Sequence, residues 1–125
     1  PRTKNLINIL KINIDKKIIL TKPVNFFDFV KLEKNSFCIL TDSGTVQEEC
    51  SILKVPCIVL RNSTERQETV ESGSTLINYD NEFSICKNIK IITGYKKTND
   101  SIPHEYLVKN VSDRVVNLLI SHHNF

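Results

Sequence analysis

Residues 36–49 read Ser-Phe-Cys-Ile-Leu-Thr-Asp-Ser-Gly-Thr-Val-Gln-Glu-Glu. The first six, Ser36 to Thr41, form an apolar run of the length expected for a buried strand. Asp42, Ser43 and Gly44 are turn residues, and a helix follows through about Leu53, bearing Gln47, Glu48 and Glu49. A strand that enters a helix through a small polar turn sets free backbone N–H groups at the carboxyl edge of a parallel sheet, where phosphates bind. Ser43 and Thr45 add hydroxyl donors, and Gly44 allows an approach that a Cβ would block. Glu49, about one turn into the helix, is placed to accept both hydroxyls of a ribose whose diphosphate rests on the helix end. The same spacing also fits a plainer role, with Ser43 as an N-cap and Glu48 or Glu49 complementing the helix dipole.

Working outward, the pattern repeats. Val55 to Leu60 is a second apolar strand, and its early Pro56 suits a strand start. The polar run Arg61 to Glu68 then opens on the same sheet edge. An arginine there can pair with a diphosphate through its fork of donors; the alternative is a solvated loop with a surface ion pair. Glu68 to Ser72 reads as a short helix stopped by Gly73, Thr75 to Ile77 as a strand, and residues 81–92 as a helix capped by Asn81. Upstream, Lys17 to Leu20 reads as a short strand and Pro23 as a break. Phe26, Phe27, Phe29, Val30 and Leu32 fall in a helix, where phenylalanines are usually core, although one near a strand end can support a base. Thr3 to Ile12 is compatible with a further helix. Gly94 to Pro103 is loop-like. The last helix is expected to start at Ser112 as N-cap with Asp113 in its first turn, and to carry an apolar stripe of Val115, Val116, Leu118, Leu119 and Ile120. Alternating strands and helices predict an α/β fold, a Rossmann-like parallel sheet flanked by helices, in a single domain spanning 1–125.

Bulk composition narrows the function. Charged residues make up 25% and hydrophobic residues 40%, the balance of a water-exposed globular domain. No apolar run approaches a membrane span, and the polar, basic amino terminus is unlike a signal peptide, so a cytoplasmic protein is expected. The net charge of +3 comes from 17 basic and 14 acidic residues scattered along the chain. Lys16-Lys17 and Lys96-Lys97 read as solvated surface, and nucleic-acid binding is not expected. Cys38, Cys50, Cys57 and Cys86 make no CxxC pair, and His104, His122 and His123 make no ligand spacing with them, so no metal is expected. Cys38 and Cys57, inside apolar runs, read as small core residues.

The two motifs together, Thr41 to Glu49 and Val55 to Gly73, closely resemble the bacterial non-hydrolysing UDP-N-acetylglucosamine 2-epimerase family. Pro1-Arg2-Thr3 is similar to the end of that family's His-Pro-Arg-Thr run. The resemblance implies a two-Rossmann-domain (GT-B-like) architecture with substrate in the interdomain cleft. This chain would be its carboxy-terminal, UDP-holding half, with the amino-terminal domain a missing partner and the full-length enzyme a homodimer. By motif, Ser43, Gly44 and Thr45 would meet the diphosphate, Glu49 the ribose hydroxyls, Phe29 the uracil, and Arg66 the phosphate or sugar side of the cleft. The family inverts C2 of a UDP-2-acetamido sugar for cell-surface polysaccharide precursors, by elimination and re-addition of UDP and without a cofactor. Its acid–base carboxylates belong to the amino-terminal domain, so no catalytic base is assigned here and the chain alone is expected to be inactive. One departure stands out: Thr45 occupies a position where many members have a second glycine. With residues 105–113, Glu-Tyr-Leu-Val-Lys-Asn-Val-Ser-Asp, this resembles the branch forming UDP-N-acetyl-L-fucosamine. A nucleotide-sugar glycosyltransferase domain and a non-catalytic UDP-sugar-binding module are the rival readings.

Overall fold

The computed structural model describes residues 2–79, 82–94 and 102–122. Helices α1 (Arg2–Ile9) and α2 (Phe26–Lys34) precede strand β1 (Ile39–Thr41). Helix α3 (Gly44–Leu53), β2 (Cys57–Val59), α4 (Gln67–Glu71), β3 (Thr75–Ile77) and α5 (Glu82–Gly94) follow in alternation. A 3₁₀ turn at His104–Leu107 leads to α6 (Val111–His122).

The strands form one parallel sheet in the order β1-β2-β3. Ile39 pairs with Cys57 and Thr41 with Val59, while Cys57 pairs in turn with Thr75 and Val59 with Ile77. A parallel strand covered on both faces is apolar without alternation, and β2 fits: Cys57 and Ile58 are 0% exposed and Val59 1%. Helix α3 packs on β1 and β2, α5 on β2 and β3, and α4 on β3 and α3. Cys50, Cys57 and Val59 form the buried cluster, with Ile39 and Val46 packed on it. Burying a side chain the size of Ile58 contributes roughly 2–3 kcal/mol.

Local chemistry sets the helix ends. At α2, Asn25 Oδ1 accepts the Asp28 N–H at 2.9 Å and Asn25 Nδ2 donates to Asp28 Oδ2 at 2.7 Å, a reciprocal cap that satisfies an otherwise orphaned donor. Helix α3 ends on Lys54 in the left-handed region at φ 59°. Gly73 stops α4 with φ 74°, as its sequence position predicts.

Several expectations need correction. Lys17 to Leu20 is not a strand: Asp15 closes a turn there, its carbonyl accepting the Ile18 N–H and its carboxylate the Lys17 N–H at 2.8 Å. Ile18, Ile19 and Leu20 are exposed, and an extended segment with no paired neighbour among the described residues has nothing to hold it. The first strand is shorter than Ser36–Thr41 and lies at a sheet edge, so Leu40 is exposed and Cys38 only half-buried rather than in the core. Helix α6 begins at Val111, so Ser112 lies inside it; Asn110, at φ 61°, precedes the helix and its carbonyl accepts the Arg114 N–H. Asp113 does occupy the first turn. The stripe Val115, Val116, Leu118, Leu119 and Ile120 is 50–60% exposed. The Asn81 cap and most of the loop before Pro103 fall outside the described residues.

Candidate functional site

The turn between β1 and α3 is built as the sequence predicts. Ser43 is the N-cap of α3, in extended conformation, and its Oγ accepts the Val46 N–H at a long 3.5 Å. The Ser43 N–H is itself held by Thr41 Oγ1 at 3.0 Å. As the first two residues of the helix, Gly44 and Thr45 have N–H groups with no acceptor inside it. The hydroxyl of Ser43, accepting from Val46, keeps its own proton free to donate. The Thr45 side chain is exposed at this helix end.

The Arg61–Glu68 run divides in two. Arg61 pairs with Glu65 at 3.8 Å on the surface, a contact worth little. Arg66 instead folds back over the start of α3: a Cβ at Gly44 would lie 3.7 Å from both Cζ and Nη2 of its guanidinium. Its Nε is ion-paired with Glu48, so the fork is anchored by one edge while Nη2 faces the helix end. Glu48 raises the Arg66 pKa, first by hydrogen bonding and then by charge, keeping a permanent cation beside the free N–H groups.

What holds Arg66 in place is a buried polar network centred on Gln47, 1% exposed. Gln47 Nε2 donates to the Arg66 carbonyl at 3.3 Å and to Thr69 Oγ1, while its Oε1 accepts from Thr64 Oγ1 at 2.7 Å. Thr64 Oγ1 accepts the Arg66 N–H at 3.1 Å, and Thr69 Oγ1 donates to the Arg66 carbonyl at 2.8 Å. Both backbone polar groups of Arg66 are therefore fixed by side chains that are themselves buried. Sequence reading passed over Gln47 as a site residue, though its i, i+3, i+4 relation to Cys50 and Ser51 puts it on the buried face of α3. Glu48, expected from sequence only to complement the helix dipole, instead anchors the Arg66 guanidinium. Tyr106 completes this side, its phenol donating to Glu68 Oε1 at 2.5 Å, and burial followed by Glu68 pushes its pKa up.

Phe29 lies on the neighbouring face. It is 38% exposed and lines an apolar groove of about 270 Å³ with Leu32, Glu33, Leu40, Thr41 and Val46 among its walls. Phe26 and Phe27 make an edge-to-face ring pair at 5.8 Å and are exposed rather than core. Thr41 and Val46 flank the Ser43 turn in sequence, so the groove runs up to the helix end. Glu49, half-buried on α3, faces Glu33 of α2. The fold therefore gathers Ser43, Gly44, Thr45 and Arg66 at one point, with Phe29 and Glu49 on the α2 side of it. Among the described residues no group of three or more His, Cys, Asp or Glu could hold a metal ion, and no helix is long and apolar enough to cross a membrane.

A parallel Rossmann-like layer with an arginine held over a Ser-Gly helix end defines an α/β domain that presents free N–H groups and a fixed cation together at one sheet edge. Comparison with known proteins narrows the class. The UDP-N-acetylglucosamine 2-epimerase family model matches residues 1–120, and the chain belongs to that family of isomerases. It is 50% identical to the UDP-N-acetylglucosamine 2-epimerase of Methanocaldococcus jannaschii over 103 residues, 78% of this chain and 28% of the relative. It is 30% identical to that of Campylobacter jejuni over 132 residues, 99% of this chain and 33% of the relative. The M. jannaschii enzyme in complex with UDP-GlcNAc and UDP superimposes with a TM-score of 0.75 at 44% identity, covering 96% of this chain and 32% of that one. The Neisseria meningitidis enzyme bound to UDP-GlcNAc gives 0.62 at 28%, covering 96% and 33%. The chain spans about a third of the length of these relatives.

Proposed function

We propose that this chain holds the UDP portion of a UDP-2-acetamido sugar within a 2-epimerase of this family. The observation that carries the reading is the Arg66 guanidinium set over Gly44 at the start of α3. A diphosphate resting there would meet the Gly44 and Thr45 N–H groups, the Ser43 hydroxyl and a fixed cation, the elements that stabilise a departing anion. Glu49 would accept the ribose hydroxyls, and Phe29, in the apolar groove, would support the uracil. Thr45 supplies a hydroxyl in addition to its N–H.

In the reaction, UDP departs from C1 as the C2 proton is removed, giving a 2-acetamidoglycal. UDP then adds back to C1 as a proton reaches C2 from the opposite face. This chain supplies the grip on the leaving diphosphate, which must hold UDP between the two halves of the reaction. The acid–base groups at C2 would come from an amino-terminal domain, and a homodimeric, cytoplasmic enzyme making precursors of surface polysaccharide is the setting that suits the chemistry. Thr45 and the run 105–113 favour a 6-deoxy sugar on the nucleotide.

Calorimetric titration with UDP tests the site. Saturable binding is expected, with Glu49→Ala and Arg66→Ala each weakening it by about tenfold or more, the value of one charge-assisted hydrogen bond. A folded chain that binds no UDP, or binds it equally well in both variants, would overturn the assignment.

A further inference from the structure

Glu33 is the most unusual side chain near the candidate site. It lies on the inner face of α2, is 3% exposed, and both carboxyl oxygens are buried with no donor reaching them among the described residues. It also lines the apolar groove shared with Phe29. A buried carboxylate in that state would normally be neutralised or paired with a cation. Among the described residues, the charged and titratable groups that bear on it are Glu49 and Cys50 from α3 and Cys57 from β2, and none of them is a cation.

We propose that Glu33 is a positioning residue for nucleotide binding: its carboxyl hydrogen-bonds to the carboxylate of Glu49 and fixes that group in its ribose-accepting orientation. This rests on the reading of Glu49 given above. Two facing carboxyl groups can share one proton but cannot both ionise cheaply. Burial first, and Glu49 next, push the Glu33 pKa up to about 7, so the proton sits on Glu33 and is donated to Glu49. One Glu49 oxygen is then occupied by the protein, and its remaining lone pairs stay free for hydroxyl donors. Above neutral pH the bond is replaced by repulsion, and Glu49 loses its fixed orientation.

The experiment measures UDP affinity against pH for the wild-type chain and for Glu33→Gln, whose carboxamide donates to Glu49 at every pH. If only the protonated form is competent, wild-type affinity falls by about tenfold between pH 6 and pH 8 relative to Glu33→Gln. Using the ratio cancels the ionisation of UDP itself. Glu33→Leu, with folding checked by circular dichroism, should bind weakly at both ends of the range. Carbon-13 observation of the Glu33 carboxyl gives a readout independent of ligand. Equal pH slopes in wild type and Glu33→Gln, or a Glu33 carboxyl that titrates in the ordinary carboxylate range, would overturn the positioning role alone. A folded chain that binds no UDP would overturn the ribose reading of Glu49 and this role with it.

Discussion

Glu33 leaves a mark on folding as well as on binding. Its pKa rises from an ordinary 4.5 to about 7 in the folded chain, so the native state holds a proton that the unfolded chain releases earlier. Stability from this group is complete below about pH 4.5 and declines as pH rises, levelling off once the folded carboxyl has also ionised near pH 7 to 8. The difference corresponds to about 3 kcal/mol. Urea denaturation at pH 4 and pH 8 should therefore show Glu33→Gln gaining about 3 kcal/mol on wild type across that interval. A constant gap would mean that Glu33 ionises normally. Glu33 was not legible beforehand, because burial of a charged residue depends on how two helices meet. Gln47 was half legible: its helical spacing from Cys50 put it on the buried face, but its three partners lie 17 to 22 residues away in sequence. By contrast, Ser43 and Gly44 could be read directly, since a cap and the turn before it are local matters.

At the level of elements, the segments β1-α3-β2-α4-β3 followed from short apolar runs alternating with polar, helix-forming ones. The failures have local or neighbour-dependent causes. Lys17 to Leu20 has strand composition but lacks a paired neighbour among the described residues, and Asp15 offers its backbone a turn instead. Ser112 is a good cap residue displaced by the start of α6 at Val111. Asn25, an equally good one, caps α2 and was hidden behind the more conspicuous Pro23. The C-terminus of α3 supplies a prediction. Lys54 holds a left-handed conformation that costs a side-chain-bearing residue about 1 kcal/mol and glycine almost nothing. Lys54→Gly should raise stability to urea by up to about 1 kcal/mol without altering UDP binding. A loss of stability would show that the lysine side chain's own interactions outweigh the backbone strain.

For the molecule as a whole, periodicity in α6 and α1 revealed which residues are apolar but not what they lie against. Leu6, Ile9 and Leu10 at one end and Leu118 to Ile120 at the other are all more than half exposed. A helical stripe records a requirement for burial, and the partner that meets it is written in other residues. The centre is different. There the alternation of strand and helix encodes its own neighbours, which is why a parallel sheet and the convergence of both polar motifs on one edge could be anticipated. That contrast gives the chain a chemical clock. Cys86 is exposed and Cys38 half-buried, whereas Cys50 and Cys57 are sealed in the sheet core, with the Cys50 pKa raised by its hydrogen bond to Cys57 and by burial. Alkylation by iodoacetamide, followed by intact-mass spectrometry, should label Cys86 first and Cys38 next, then pause. The last two additions should appear together, at a rate set by opening of the sheet, and saturating UDP should lengthen that pause. Four additions without a pause would mean that the sheet breathes far more readily than its packing implies.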